Sequence, residues 1–169
     1  MRKLGLPMGP LQLADFVGLP LSQEVGGYLE RTLPHLGKMS KLGGQLLAKK
    51  QGFHDKDGKA NDAGVAAALA EIGANPSPRR FGDKELQERL LLLLANEGGR
   101  ILDEGVASSA DDIDIALTAG AGFPTSMGGL MRYVGSMDPK YVVRRLEELA
   151  KTRGARYEPA KYWRDRAAK

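Results

Sequence analysis

Two stretches of the chain, "GLPMGPLQLADFVG" (residues 5–18) and "GFPTSMGGLMRYVG" (residues 122–135), run in register with each other. Laying Gly5-Leu6-Pro7 on Gly122-Phe123-Pro124 brings Leu13 onto Leu130, Phe16 onto Tyr133 and Val17-Gly18 onto Val134-Gly135 without a gap. Two copies of one structural unit are therefore expected, and a fold proposed for one copy must suit the other. Each copy opens on a corner, Gly5 with Pro7 and Gly122 with Pro124. There a glycine can take positive φ and a proline starts the next segment. In the second copy both Gly120 and Gly122 are assigned positive φ.

Around these corners the pattern is helical. Asp83 stands as N-cap of a long helix that carries Leu86, Leu90, Leu93, Leu94, Ile101 and Leu102 and ends near Gly105. Ser109 with Asp112 forms a variant capping box for a second helix, with Gly120 as its stop. Ser126 is assigned as cap of a third helix with Leu130, Met131 and Val134. A fourth begins with Asp138 as N-cap and Pro139 at its first position, turns Val142, Leu146, Leu149 and Ala150 to one face, and stops at Gly154. The first half repeats the plan in shorter form. One helix runs from Pro7 and Pro10 to Val17, one from Ser22 to Leu33, and one capped by Ser40 carries Leu42, Leu46 and Leu47. A turn follows at Asp57-Gly58. The predicted fold is all-α: a first helical unit over 1–59, a linker with one weak helix over 60–82, and a second unit with its tail over 83–169. Glycine pairs at 26–27, 43–44 and 98–99 fall inside helices, where they permit close helix approach at a cost of up to about 1 kcal/mol each.

Composition removes several functions. Without cysteine there are no disulfides, thiolate nucleophiles or Cys-ligated metals. The apolar run "LLLLL" at 90–94 is flanked by charges, and the start has no run of signal-peptide length, so a cytoplasmic chain without a membrane span is expected. The formal charge of +4 comes from 25 basic and 21 acidic residues that interleave along the chain, including the C-terminal tail and the short "PRR" at 78–80. Nucleic-acid binding is not expected from that mixture. "GAGFPT" lacks the third glycine, the preceding strand and the distal acid of a dinucleotide fingerprint. His35 and His54 flank turns and read as loop residues. Asp111, Asp112 and Asp114 lack the spacing of a calcium loop, and the first two suit a helix N-terminus. No catalytic, cofactor-binding or metal-binding residue is assigned.

The quoted corners, the pair Asn96-Glu97, the helix end Glu104-Gly105, the "S-x-x-D-I-D-x-A" helix from Ser109 and "VVRRLEELAKTRGARYEP" together resemble the C-terminal helical region of 3-hydroxyacyl-CoA dehydrogenases. The closer resemblance is to the multifunctional fatty-acid oxidation enzymes, which carry this domain in tandem. The resemblance implies NAD for the full enzyme, bound by a Rossmann domain that supplies the catalytic histidine and glutamate, with the helical region closing over the acyl-CoA. It also implies an active-site asparagine in an "N-R" pair on the first helix of the first copy. At the matching place in the second copy stands Glu88-Arg89. The first copy is read as truncated, lacking two helices, so the face of Leu11, Leu13, Phe16 and Val17 is expected to mediate association. Its partner would be a second copy or an upstream NAD-binding polypeptide, and acyl-CoA would bind only with that partner. The chain alone is expected to be inactive. The alternative is a free-standing helical interaction module that kept the fold without the enzyme.

Overall fold

The computed structural model describes residues 1–74 and 80–169. Residues 75–79 of the expected linker, and with them most of the "PRR" run, lie outside the described residues. Among the described residues the chain is all-α, with nine helices and a single isolated bridge between His54 and Ala60. It divides into two compact units, Met8–Arg80 and Met1–Pro7 with Phe81–Lys169.

The unit Met8–Arg80 holds α1 (Pro10–Val17), α2 (Leu19–Thr32), α3 (Leu42–Ala48) and α4 (Asp62–Glu71). Pro10 opens α1, and Gly18 at φ 96° turns the chain directly into α2, which starts at Leu19 rather than Ser22. A proline near the start of a helix lacks only an N–H that had no intrahelical partner. The core consists of Leu19, Leu46, Phe53 and Ala68. Ala68 belongs to α4, so the helix expected inside a linker over 60–82 is instead part of this core, packed on α3. Its alanines allow that close packing, and Asn61 caps it by accepting a bond of 3.1 Å from the Gly64 N–H.

His54 is not a free loop residue. The Asp15 carboxylate on α1 accepts the backbone N–H groups of Phe53 and His54, each at 2.9 Å, and meets His54 Nδ1 at 2.8 Å. Both side chains are largely buried. This carboxylate ties the loop after α3 to α1 across 38 to 39 residues of sequence, a separation over which no local pattern in the chain signals it.

The other unit is built on α5 (Asp83–Asp103), with α6 (Ala110–Ala121), α7 (Leu130–Gly135), α8 (Pro139–Arg153) and α9 (Lys161–Ala167) around it. Asp83 is the first residue of α5, and Gly82 is its N-cap. The buried face of α5 runs through Leu91, Leu92, Ala95, Asn96, Gly98 and Gly99, whereas Leu86 and Leu94, expected on it, are exposed. Close packing against α7 and α9 sets this face. A Cβ on Gly98 would lie 2.6 Å from Met131 Sδ, and one on Gly99 would lie 3.0 Å from the Ala160 Cβ. Asn96 holds the chain before α9: its amide donates to Glu158 O at 2.8 Å and Arg156 O at 3.2 Å, and its oxygen accepts the Ala160 N–H at 2.9 Å. Trp163 Nε1 donates to Ala95 O at 3.0 Å, so the large buried ring of α9 also has its polar atom satisfied. The caps Ser109 and Asp138 act as the sequence predicts, accepting from Asp112 N and Lys140 N.

Replacing Asp15 by alanine should therefore destabilise the Met8–Arg80 unit by about 2 kcal/mol or more, because two buried backbone N–H groups lose their acceptor. His54→Ala should cost about 1 kcal/mol, and the double variant less than the sum. Urea melts followed by a probe in that unit check the order and the non-additivity.

Candidate functional site: two corners and an uncovered helix face

Gly5 has φ 92° and ends a short 3-10 turn, its N–H donating to Arg2 O. Gly122 has φ 65° and ends α6, its N–H donating back into the last turn of the helix at Leu117 O. Both are left-handed positions that a side chain strains. Gly120, also expected at positive φ, lies inside α6 instead, which continues to Ala121 before the cap. The two corners meet each other reciprocally. A Cβ on Gly5 would stand 3.1 Å from Pro124 Cγ, and a Cβ on Gly122 would stand 3.2 Å from Pro7 Cγ. Phe123 is buried in the core of this unit, and Leu4 and Leu6 pack on the same core.

Beyond the second corner, Ser126 lies in a 3-10 turn over Thr125–Met127 and does not cap α7. Asp114 replaces it. Buried on α6, its carboxylate accepts the Met131 N–H at 2.6 Å and the Arg132 N–H at 3.0 Å, satisfying two free donors of α7. The sequence reading left Asp114 without a role. Its only sequence signal is a third acid one turn into a helix whose first two acids already suit the N-terminus.

The register of the two copies continues past Gly18 and Gly135 to Val25 and Val142, so α1–α2 can be compared with α7–α8 position by position. In α7–α8, Leu130, Val134 and Val142 are 1%, 0% and 1% exposed, covered by α5 and α6. Their counterparts Leu13, Val17 and Val25 are 48%, 46% and 47% exposed. Phe16 is 78% exposed, and Leu11, Leu21 and Tyr28 are exposed as well.

Where Glu88-Arg89 stands, the structure forms a cleft of about 600 Å³ floored by Leu91, Leu92 and Val134 and walled by Met137 and Leu4. Glu88 accepts from Arg145 Nε at 3.1 Å and from the Tyr141 hydroxyl, and Arg145 also reaches Glu148 at 2.9 Å. The bond to Glu88 raises the Tyr141 phenol above its ordinary value of 10.0; burial and the charge of Glu88 add to this, and Arg145 and Arg144 oppose it. Arg89 turns elsewhere, pairing with Glu85 at 2.6 Å and lying 4.5 Å over the Phe81 ring. Both carboxylates are held by cations on their own unit, and neither is placed as a free general base. Among the described residues no group of three His, Asp or Glu side chains is positioned to hold a metal ion. No helix among them is long and apolar enough to cross a membrane.

Residues 86–169 match the family described as 3-hydroxyacyl-CoA dehydrogenase, C-terminal domain. That stretch of the chain belongs to this family. Curated relatives extend the likeness over the rest of the chain. The glyoxysomal fatty acid beta-oxidation multifunctional protein MFP-a of Cucumis sativus is 34% identical over 181 residues, covering 98% of this chain. The peroxisomal fatty acid beta-oxidation multifunctional protein AIM1 of Arabidopsis thaliana is 31% identical over 179 residues, covering 96%. The Brassica napus MFP-a is 32% identical over 183 residues, covering 99%. The chain spans about a quarter of the length of each of these relatives. The matched residues include Asp114, Gly122 and Glu88, while α1–α2 precede them, as do Leu4, Lys84 and Glu85 of the cleft.

Two substitutions two residues apart should have opposite signs. Gly122→Ala forces a side chain into left-handed backbone against Pro7 and should cost about 1 kcal/mol or more. Gly120→Ala sits in helical backbone with open space at the Cβ and should stabilise by up to about 1 kcal/mol. Thermal melts of the two variants decide it.

Proposed function

We propose that this chain is the C-terminal substrate-closure and association region of an NAD-dependent 3-hydroxyacyl-CoA dehydrogenase acting in fatty-acid β-oxidation, and that it is not catalytic by itself. The observation that carries the reading is the family match of residues 86–169, joined to relatives named for fatty acid beta-oxidation that align with nearly the whole chain. NAD would be held outside the described residues. The one glycine-rich run that superficially suits it, Gly120 to Gly122, is the end of a helix preceded by helix, where a dinucleotide site needs a strand. The role assigned to the helical surface is to cover the acyl-CoA once the NAD-binding polypeptide is present, excluding water around the reacting carbon. The face of Leu11, Leu13, Phe16 and Val17 supports the association half of the reading, and Phe16 is its most exposed member. In the absence of that polypeptide, the same face drives self-association between copies. The cytoplasm is the compartment proposed from the sequence, a placement that the organelle names of the plant relatives do not share.

The purified chain should bind no NAD by calorimetry and show no 3-hydroxybutyryl-CoA oxidation, and turnover should appear when an NAD-binding domain of a multifunctional relative is added. Tight stoichiometric NAD binding by the chain alone would overturn the reading. In sedimentation the chain should show a concentration-dependent mass that Phe16→Asp weakens, and a strictly monomeric chain would remove self-association from the proposal.

A further inference from the structure

Among the described residues Lys50 is the one position other than glycine at positive φ, at 55°. It follows the end of α3, where its N–H donates to Leu47 O and that of Gln51 donates to Leu46 O, each at 2.9 Å. Glycine is the ordinary occupant of such a position, because a side chain strains left-handed backbone. Strain of this kind collects at binding and active sites.

The Lys50 side chain lines a cavity of about 360 Å³ within the Met8–Arg80 unit. Leu19, Pro20 and Leu47 give this cavity an apolar wall, and Lys50, His54 and Lys56 bring its cationic and protonatable groups. The neighbouring Lys49 pairs with Glu71 at 2.5 Å, whereas Lys50 and Lys56 pair with no carboxylate among the described residues. The two acids of the lining are engaged in holding their own loop. Asp15 accepts the N–H groups of Phe53 and His54, and Asp55 Oδ1 accepts those of Asp57 and Lys59, each at 2.9 Å. Asp15 also orients the imidazole. A carboxylate that accepts two backbone N–H groups has only lone pairs to offer the ring, so the 2.8 Å contact places a proton on Nδ1 and leaves Nε2 as the ring atom for a ligand.

We propose that this cavity binds a phosphate monoester. His54 Nε2 and the ammonium groups of Lys50 and Lys56 take the phosphate oxygens, and the organic group of the ester lies on Leu19, Pro20 and Leu47. Three donors on separate side chains suit a tetrahedral dianion with three terminal oxygens, where a carboxylate offers two in one plane, and lysine binds phosphate as a point charge. At about 360 Å³ the cavity has the size of a site for a small organic molecule rather than for a bare ion. All of these residues precede the stretch matched to the dehydrogenase C-terminal domain, and the proposal needs nothing of the function proposed above.

The test titrates the full chain with phenyl phosphate, inorganic phosphate and benzoate by calorimetry, with the His54 ring followed by NMR. Phenyl phosphate should saturate one site, shift the His54 ring and bind about tenfold more tightly than either other probe. Lys56→Gln should weaken it by about tenfold, as should His54→Asn, in which an amide nitrogen still reaches Asp15 while Nε2 is gone. Lys50→Gly separates binding from stability: it should weaken binding to the same extent and raise the melting temperature, because glycine relieves the left-handed backbone. Inorganic phosphate bound as tightly as phenyl phosphate would overturn the ester, and benzoate bound as tightly would overturn phosphate recognition. An unshifted His54 ring, an absence of saturable binding, or affinity unchanged in the three variants would overturn the site itself.

Discussion

The unit Met1–Pro7 with Phe81–Lys169 depends on one packing surface, the face of α5 that runs from Leu91 to Gly99. On it the helix offers leucines at one end and bare backbone at the other, so that α7 approaches at Gly98 and α9 at Gly99 with no room for a methyl group. Asn96 sits between them and pairs with three backbone groups of the segment before α9, so polar satisfaction and apolar burial fix the same arrangement. Given that surface, α7 needs little intrinsic stability. It spans only Leu130–Gly135, is entered through Gly129 at positive φ and is capped by a carboxylate from α6. Helices this short are held by what packs around them rather than by their own propensity.

The Met8–Arg80 unit shows the same helix pair without such a surface above it. α1 and α2 are held from below by α3, α4 and the Asp15–His54 loop clamp, and their upper side is apolar and exposed. The two corners belong to this comparison: each copy begins at a left-handed glycine, and each glycine lies against the other copy's proline. One structural device, repeated, produces a filled helical unit and an open one. For a chain that spans about a quarter of its multifunctional relatives, the open unit is where the rest of the assembly is proposed to attach.

What could be read in the sequence was whatever is local. Ser109, Asp138 and Gly154 act as caps because a cap is a matter of a few neighbouring residues, whereas the stop expected at Gly120 falls two residues later at Gly122; the repeat was visible because it is ungapped. What could not be read is set by partners far away in the chain. The face of α5 was misassigned toward Leu86 and Leu94 because spacing alone allows two adjacent stripes in a leucine-rich helix, and glycines at 98 and 99 choose between them only once α7 and α9 are in place. Ser126 looked like a cap, but Asp114, 17 residues before Met131, takes the position with two acceptor oxygens. α4 looked like linker because alanine shows no amphipathic stripe, and its burial comes from α3. Leu11, Leu13, Phe16 and Val17 are exposed, and the association proposed for them rests on comparison with the filled copy.

Hydrogen exchange of the native chain, resolved amide by amide across the two matched helix pairs, tests most directly whether the covering helices are what stabilises the pair. The account predicts that amides of α7 and α8 exchange only with global opening of their unit, while matched amides of α1 and α2 exchange faster by at least about tenfold, a difference of about 1.4 kcal/mol in opening free energy. Equal protection at matched positions of the two pairs would contradict it, because α1–α2 would then be as stable uncovered as α7–α8 are beneath α5 and α6.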